Sequence, residues 1–101
     1  MTYEVRGYEV TIGRTKYTYN NSLAVSLETT SLEPFAVITV CIDISDTCKK
    51  DCAFVDVNNC PWAEKFLTEN KLAEPTGRIG YSGFCSYPEY KFNLELIPKL
   101  K

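Results

Sequence analysis

Apolar and polar residues alternate with a period of two through much of the first half of the chain, the signature of half-buried strands. Tyr8-Glu9-Val10-Thr11-Ile12 places Tyr8, Val10 and Ile12 on one face, and Thr15-Lys16-Tyr17-Thr18-Tyr19 answers with β-branched and aromatic residues. Gly13-Arg14 between them predicts a hairpin turn, with Gly13 supplying a positive φ. Asn20-Asn21-Ser22 is a second turn, and Leu23, Val25 and Leu27 point inward from the next strand. Thr29 to Pro34 is a polar connection closed by a proline, which cannot sit in a central ladder. The run Phe35-Ala36-Val37-Ile38-Thr39-Val40-Cys41-Ile42-Asp43-Ile44 is nearly continuous in apolar residues, so a central strand buried on both faces is expected. Ser45 to Asp51 reads as a charged loop and Cys52-Ala53-Phe54-Val55-Asp56-Val57 as a further strand.

At Asn58-Asn59-Cys60-Pro61-Trp62 the period changes. Asn is a helix-capping residue and Pro fits the first helical turn, so a helix is expected from Pro61 to about Lys71. Trp62, Ala63, Phe66 and Leu67 fall on its apolar face; Glu64, Lys65, Thr68 and Glu69 fall on the other. Glu64 and Lys71 complement the helix dipole at its two ends. Glu74-Pro75 ends the helix, and residues 74–90 read as a structured loop. Tyr90-Lys91-Phe92-Asn93-Leu94-Glu95-Leu96 alternates again as a last strand, so residues 90–97 should return to the sheet. The predicted single domain is α+β: a β-meander over residues 1–57, a helix within 58–73, and a mostly antiparallel sheet of five or six strands with the helix packed on one face.

Composition narrows the function classes. The 101 residues suit one core, and 45% hydrophobic with 24% charged residues is a globular balance. Thirteen acidic and eleven basic residues give a net charge of −2, and no like-charge run exceeds Lys49-Lys50. No basic stripe is present to neutralise phosphates, so direct nucleic-acid binding is not expected. The start, Met1-Thr2-Tyr3-Glu4-Val5-Arg6, lacks the apolar segment of a signal peptide, and no run is long enough to span a bilayer. A cytoplasmic chain without membrane partners is expected, with five cysteines held reduced.

Four constellations could carry chemistry. Cys48-x3-Cys52 with Cys60 offers three thiols, and Cys41 or Cys85 a fourth, but a zinc site wants two tight knuckles and the chain has no histidine. Structural thiols are the preferred reading, and no metal or cofactor is expected. Cys60 beside a helix N-terminus could be an activated nucleophile, but no histidine is available as its base; the position reads as part of the helix start. Thr76-Gly77-Arg78-Ile79-Gly80-Tyr81-Ser82-Gly83 could cradle an anion on backbone N–H groups. It lacks P-loop spacing, and a structured turn with Arg78 paired to Glu74 or Glu69 is preferred. The last constellation is a recognition surface: Arg78, Tyr81, Phe84, Tyr87 and Tyr90 lie in one region and are residue types that carry interface hot spots.

Phe54-Val55-Asp56-Val57-Asn58-Asn59-Cys60-Pro61-Trp62-Ala63-Glu64, with Glu74-Pro75-Thr76-Gly77-Arg78, Gly80, Ser82-Gly83-Phe84-Cys85 and Tyr87-Pro88, resembles a family of small proteins of unknown function encoded on conjugative elements, plasmids and phages of Firmicutes. The resemblance covers residues 53–93. The family carries no established activity, so no catalytic residues transfer, and what the resemblance implies is a setting: accessory proteins of mobile elements that block host defence or adjust transfer. The leading expectation is therefore a non-catalytic protein-binding inhibitor of a host nuclease, of anti-CRISPR or anti-restriction type. A cysteine-based metal or redox sensor and a structural module of a conjugation apparatus are the alternatives.

Overall fold

In a computed structural model the chain is described over residues 2–17, 23–41 and 51–100. Among these residues eight strands form two four-stranded antiparallel sheets, ordered β1-β2-β3-β4 and β5-β6-β8-β7, with one α-helix. The α+β class is as expected, and the strands are more numerous than expected because three segments fold differently.

The first sheet contains β1 (Tyr3–Val5), β2 (Tyr8–Lys16), β3 (Leu23–Thr29) and β4 (Pro34–Val37). Arg6 and Gly7 both take positive φ, 51° and 86°, as a two-residue type I′ hairpin between β1 and β2 requires. Alternation delivers the core here as the pattern predicts: Val10, Ile12, Leu23, Val25 and Leu27 are all buried. Gly13 does not turn the chain. It lies in the middle of β2, opposite Ser26, and its missing side chain makes room for Leu100: a Cβ there would stand 2.3 Å from Leu100 Cδ2. The C-terminal tail is docked at this point, because Arg14 N–H donates to Pro98 O at 2.9 Å and Leu100 N–H to Arg14 O at 2.8 Å.

The apolar run from Phe35 is not one central strand. It ends the first sheet as β4 and begins the second as β5 (Thr39–Val40), and each is an edge strand. Between them Ile38 is fully buried, its N–H donating to Val25 O at 3.0 Å and its carbonyl accepting from Asp56 N–H at 2.9 Å. Ile38 thus ties the two sheets together, as does Thr39, whose Oγ1 accepts from Val25 N–H at 3.1 Å. Ile42, Ile44 and all of the predicted charged loop but Asp51 lie outside the described residues, as do Thr18 and Tyr19 of the expected hairpin and the expected turn Asn20-Asn21-Ser22.

The second sheet adds β6 (Cys52–Val55), β7 (Ala73–Ser82) and β8 (Cys85–Phe92). Residues 74–90 are thus mostly hairpin, not loop. A bulge between Pro75 and Ile79 breaks the alternation that would have revealed it. The helix α1 (Ala63–Glu69) buries Ala63, Phe66 and Leu67 as expected. It begins at Trp62 with no side-chain cap; Asp56, not Asn58 or Asn59, organises the turn before it by accepting from Asn59 N–H at 3.2 Å and from Asn59 Nδ2 at 2.9 Å. Lys71 follows the helix at φ 56°, with Leu72 N–H bonded to Leu67 O at 2.9 Å and Lys71 N–H to Thr68 O at 3.2 Å. These are the two bonds of a Schellman motif, and buried Leu67 and Leu72 supply its apolar contact. Residues 90–97 are not one strand either: β8 ends at Phe92, and Leu94–Leu96 form a 3-10 turn capped by Asn93, whose side chain accepts from Glu95 N–H at 3.3 Å.

An aromatic series bridges the first sheet and the helix. Tyr8 meets Phe35 at 5.4 Å between ring centroids, Phe35 meets Trp62 at 6.0 Å, Trp62 meets Phe66 edge-on at 6.0 Å, and Phe66 meets Tyr3 edge-on at 5.8 Å. Such pairs add about 0.5–1.5 kcal/mol each beyond the area they bury.

Candidate functional site

The β7–β8 hairpin divides into two halves. Its inner half is held by the body: Cys52, Ala53 and Phe54 of β6 pair with Lys91, Tyr90 and Glu89. Pro88 ends that pairing. Phe92 N–H donates to Asp51 O at 2.6 Å and Asn93 N–H donates the other way, to Leu72 O at 2.8 Å. By the alternation of an antiparallel ladder the amide of residue 88 would face β6, and proline has none to give. Beyond Pro88, among the described strands, β7 and β8 pair only with each other. Ile79, Gly80, Tyr81 and Ser82 face Pro88, Tyr87, Ser86 and Cys85. Gly83 and Phe84 make the tip, where Gly83 takes φ 63°, the sign a type II′ turn needs at its first central position.

The five residues expected to form a recognition surface separate in this frame. Phe84 at the tip is fully exposed and Tyr81 is 70% exposed. Tyr87 projects from the opposite face and interacts with the side chains of Asn58 and Cys85. Tyr90 leaves the surface altogether: it is buried in the core and its hydroxyl donates to Glu64 Oε2 at 2.6 Å. Burial, together with the carboxylate that accepts its proton, pushes its pKa up to about 12. Arg78 lies at the bulge, paired with Glu89 at 3.7 Å and not with Glu74 or Glu69. Ile79, 55% exposed and on the same face as Tyr81, joins the exposed set and was missed. Its signal was the alternation Ile79-Gly80-Tyr81 between glycines, hidden by reading those glycines as loop.

The glycine-rich segment meets an anion of the chain's own, Glu89, and it does so through the side chains of Thr76 and Arg78 and not through the backbone N–H cradle considered for it. Glu89 is only 3% exposed. Thr76 Oγ1 donates to Glu89 Oε1 at 2.7 Å while accepting from Arg78 N–H at 3.2 Å, and the Arg78 guanidinium lies 3.7 Å from Glu89 Oε2. A buried carboxylate with a hydroxyl donor and a cation is satisfied in place, and the bulge is the geometry that brings them together.

Of the thiols, Cys48 lies outside the described residues. Cys60 is buried beside Val37 O, 3.9 Å from its sulfur. Burial, aided by Asp56, pushes its thiol pKa up, the reverse of what an activated nucleophile needs. Cys52 is buried on β6 and Cys85 half-buried on β8. Among the described residues no group of three His, Cys, Asp or Glu gathers where it could hold a metal ion, and no helix is long and apolar enough to cross a membrane. A groove of about 700 Å³ lies between the end of α1 and the start of the hairpin, lined by residues including Asp51, Lys71, Glu74, Lys91 and Glu95. Its charges are mixed and select no ligand.

These features define a two-sheet α+β protein with an apolar hairpin arm. The chain belongs to the family described as a domain of unknown function, DUF4313, whose model matches residues 11–101. The match takes in the N-terminal strands from the middle of β2 as well as the segment that carries the resemblance noted above. No curated protein and no solved structure matches the chain.

Proposed function

We propose that this is a non-catalytic protein-binding accessory protein of a mobile genetic element, that its working face is the outer half of the β7–β8 hairpin, and that its partner is a host defence nuclease of CRISPR or restriction type. The observation that supports the reading is the exposure of Ile79, Tyr81 and Phe84 together on one arm: 55%, 70% and complete. Apolar and aromatic side chains left in water at the end of a well-paired hairpin gain nothing for the fold, and they are the groups whose burial drives association. The mobile-element setting and the nuclease partner come from the resemblance of residues 53–93. The non-catalytic reading draws on a raised Cys60 pKa and the absence of histidine from the sequence.

The test is a plasmid-establishment assay in a host carrying both CRISPR and restriction systems. Expression of the chain raises establishment, the immobilised protein retains the nuclease, and Tyr81→Ala with Phe84→Ala removes both effects. No protection and no retained nuclease would overturn the proposal.

A further inference from the structure

The outer half of β7 offers a second element besides its side chains: a backbone edge that no other described strand pairs. Ordered β5-β6-β8-β7, the second sheet ends at β7. Ser82 and Cys85 close the two-residue turn and so form a hydrogen-bonded pair, as do Gly80 and Tyr87 two residues further in. The N–H and C=O groups of Ile79 and Tyr81 therefore point away from β8, to the edge. Nearer the body the edge is blunted by Pro75, by the bulge and by Arg78. Residues 79–82 carry no proline, no charge and no bulge, the devices that keep strand edges from pairing.

We infer that this edge pairs with the same edge of a second copy of the chain, antiparallel and centred on Gly80, joining two four-stranded sheets into one of eight. The pattern of groups on β7 supports a copy of itself as the occupant. A two-fold interface requires that if residue i meets j, then j meets i. Centred on Gly80, Ile79 meets the second copy's Tyr81 and Tyr81 its Ile79, giving two aromatic–β-branched pairs with all four outward N–H groups bonded. Arg78 meets Ser82, so no like charges are opposed. Gly80 meets Gly80 at the axis, a non-hydrogen-bonded pair where backbones come closest and side chains would crowd. Other registers do worse. Centring on Tyr81 sets Ile79 against Gly83; centring on Ile79 runs Tyr81 against Gly77, whose φ of 92° lies in the bulge.

Edge pairing leaves the faces free. Ile79, Tyr81 and Phe84 of both copies would line one continuous apolar surface, so the inference extends the binding face proposed above and places two of them side by side. A strand of four residues is only about 13 Å long. Its contact falls well short of the roughly 800 Å² per partner of a stable complex, so the dimer is weak and set by concentration.

Sedimentation equilibrium of the purified full chain, from micromolar to millimolar, tests this without any host component. The expected result is a monomer–dimer equilibrium, with the amides of Ile79 and Tyr81 gaining exchange protection as the dimer forms. Ile79→Lys with Tyr81→Lys opposes like charges twice and weakens association by about tenfold or more. Ile79→Lys with Tyr81→Glu opposes unlike charges in this register alone and restores it. Circular dichroism of each variant reports whether the fold is kept, and both pairs of substitutions lie on exposed positions. A monomer at every concentration overturns the inference while leaving the nuclease proposal standing. So does protection of the Ile79 and Tyr81 amides only when a different protein is added, which would assign the edge to that partner. Dimerisation through a register that the charge exchange does not rescue overturns the Gly80-centred pairing.

Discussion

Tyr81 and Tyr90 stand on the same face of the same hairpin and meet opposite fates. Tyr90, 3% exposed, lies where β6 supports β8 and where α1 brings Glu64 within 2.6 Å of its hydroxyl. Tyr81, 70% exposed, lies past Pro88, where the hairpin has outrun the body that could cover it. The chemistry of the two side chains is identical. What differs is whether a third strand continues alongside: β6 ends at Val55, and Pro88, next in register, has no amide to offer it. Burying a large apolar side chain stabilises a fold by about 1.5–3 kcal/mol, so the inner aromatics hold the protein together and the outer ones are available to something else.

The largest test of that contrast is at Phe66, the aromatic at the centre of the helix–sheet contact, 5.8 Å from the Tyr3 ring and 6.0 Å from that of Trp62. Phe66→Ala should cost about 3–5 kcal/mol, seen as a fall in the urea midpoint at unchanged slope. Two glycines sharpen the comparison at intermediate size. Gly13→Ala drives a methyl into Leu100 and should cost about 1–3 kcal/mol while releasing the C-terminal tail, which exchange of the Leu100 amide would report. Gly83→Ala has open space around it and φ 63°, so it should cost about 1–2 kcal/mol through backbone conformation alone. The body penalises volume; the arm penalises only conformation.

A smaller effect separates the tyrosines by pH. With its pKa raised from 10.0 to about 12 in the folded chain, Tyr90 contributes a stabilisation that is complete below pH 10 and lost as pH rises towards 12. Tyr90→Phe should cost about 0.5–1.5 kcal/mol at neutral pH and flatten that part of the alkaline stability curve. Tyr17 and Cys60, also raised by burial, would keep their share of it. Smallest of all, Tyr81→Ala with Phe84→Ala should change stability by less than about 0.5 kcal/mol in the same urea titration.

How much of this was legible in the sequence follows from what alternation can carry. Leu23, Val25 and Leu27 read directly as an inward face, and Ala63, Phe66 and Leu67 as a helix stripe, because each set keeps the regular period of its element. The run from Phe35 misled because its apolar character comes from a seam: Ile38 is buried between two sheets, and no local pattern says where a chain changes sheet. Gly13 misled because a strand glycine that admits a distant side chain looks like a turn until Leu100 is seen against it. The hairpin was hidden by Thr76, Gly77 and Arg78, whose bulge exists to wrap Glu89, a partner too remote in sequence to be paired by inspection. The five expected recognition residues separate for the same reason: the division between exposed Tyr81 and buried Tyr90 depends on where β6 stops.

The central claim is that the arm beyond Pro88 works and the body beneath it folds. The most direct measurement is plasmid establishment in the defended host with wild-type chain, with Tyr81→Ala/Phe84→Ala, and with a control substitution at an exposed helix position outside the arm, Lys65→Ala, checked for an unchanged urea midpoint. The account predicts protection by the wild type and the control, and its loss in the double variant at unchanged urea midpoint. Protection that survives in the double variant would contradict it.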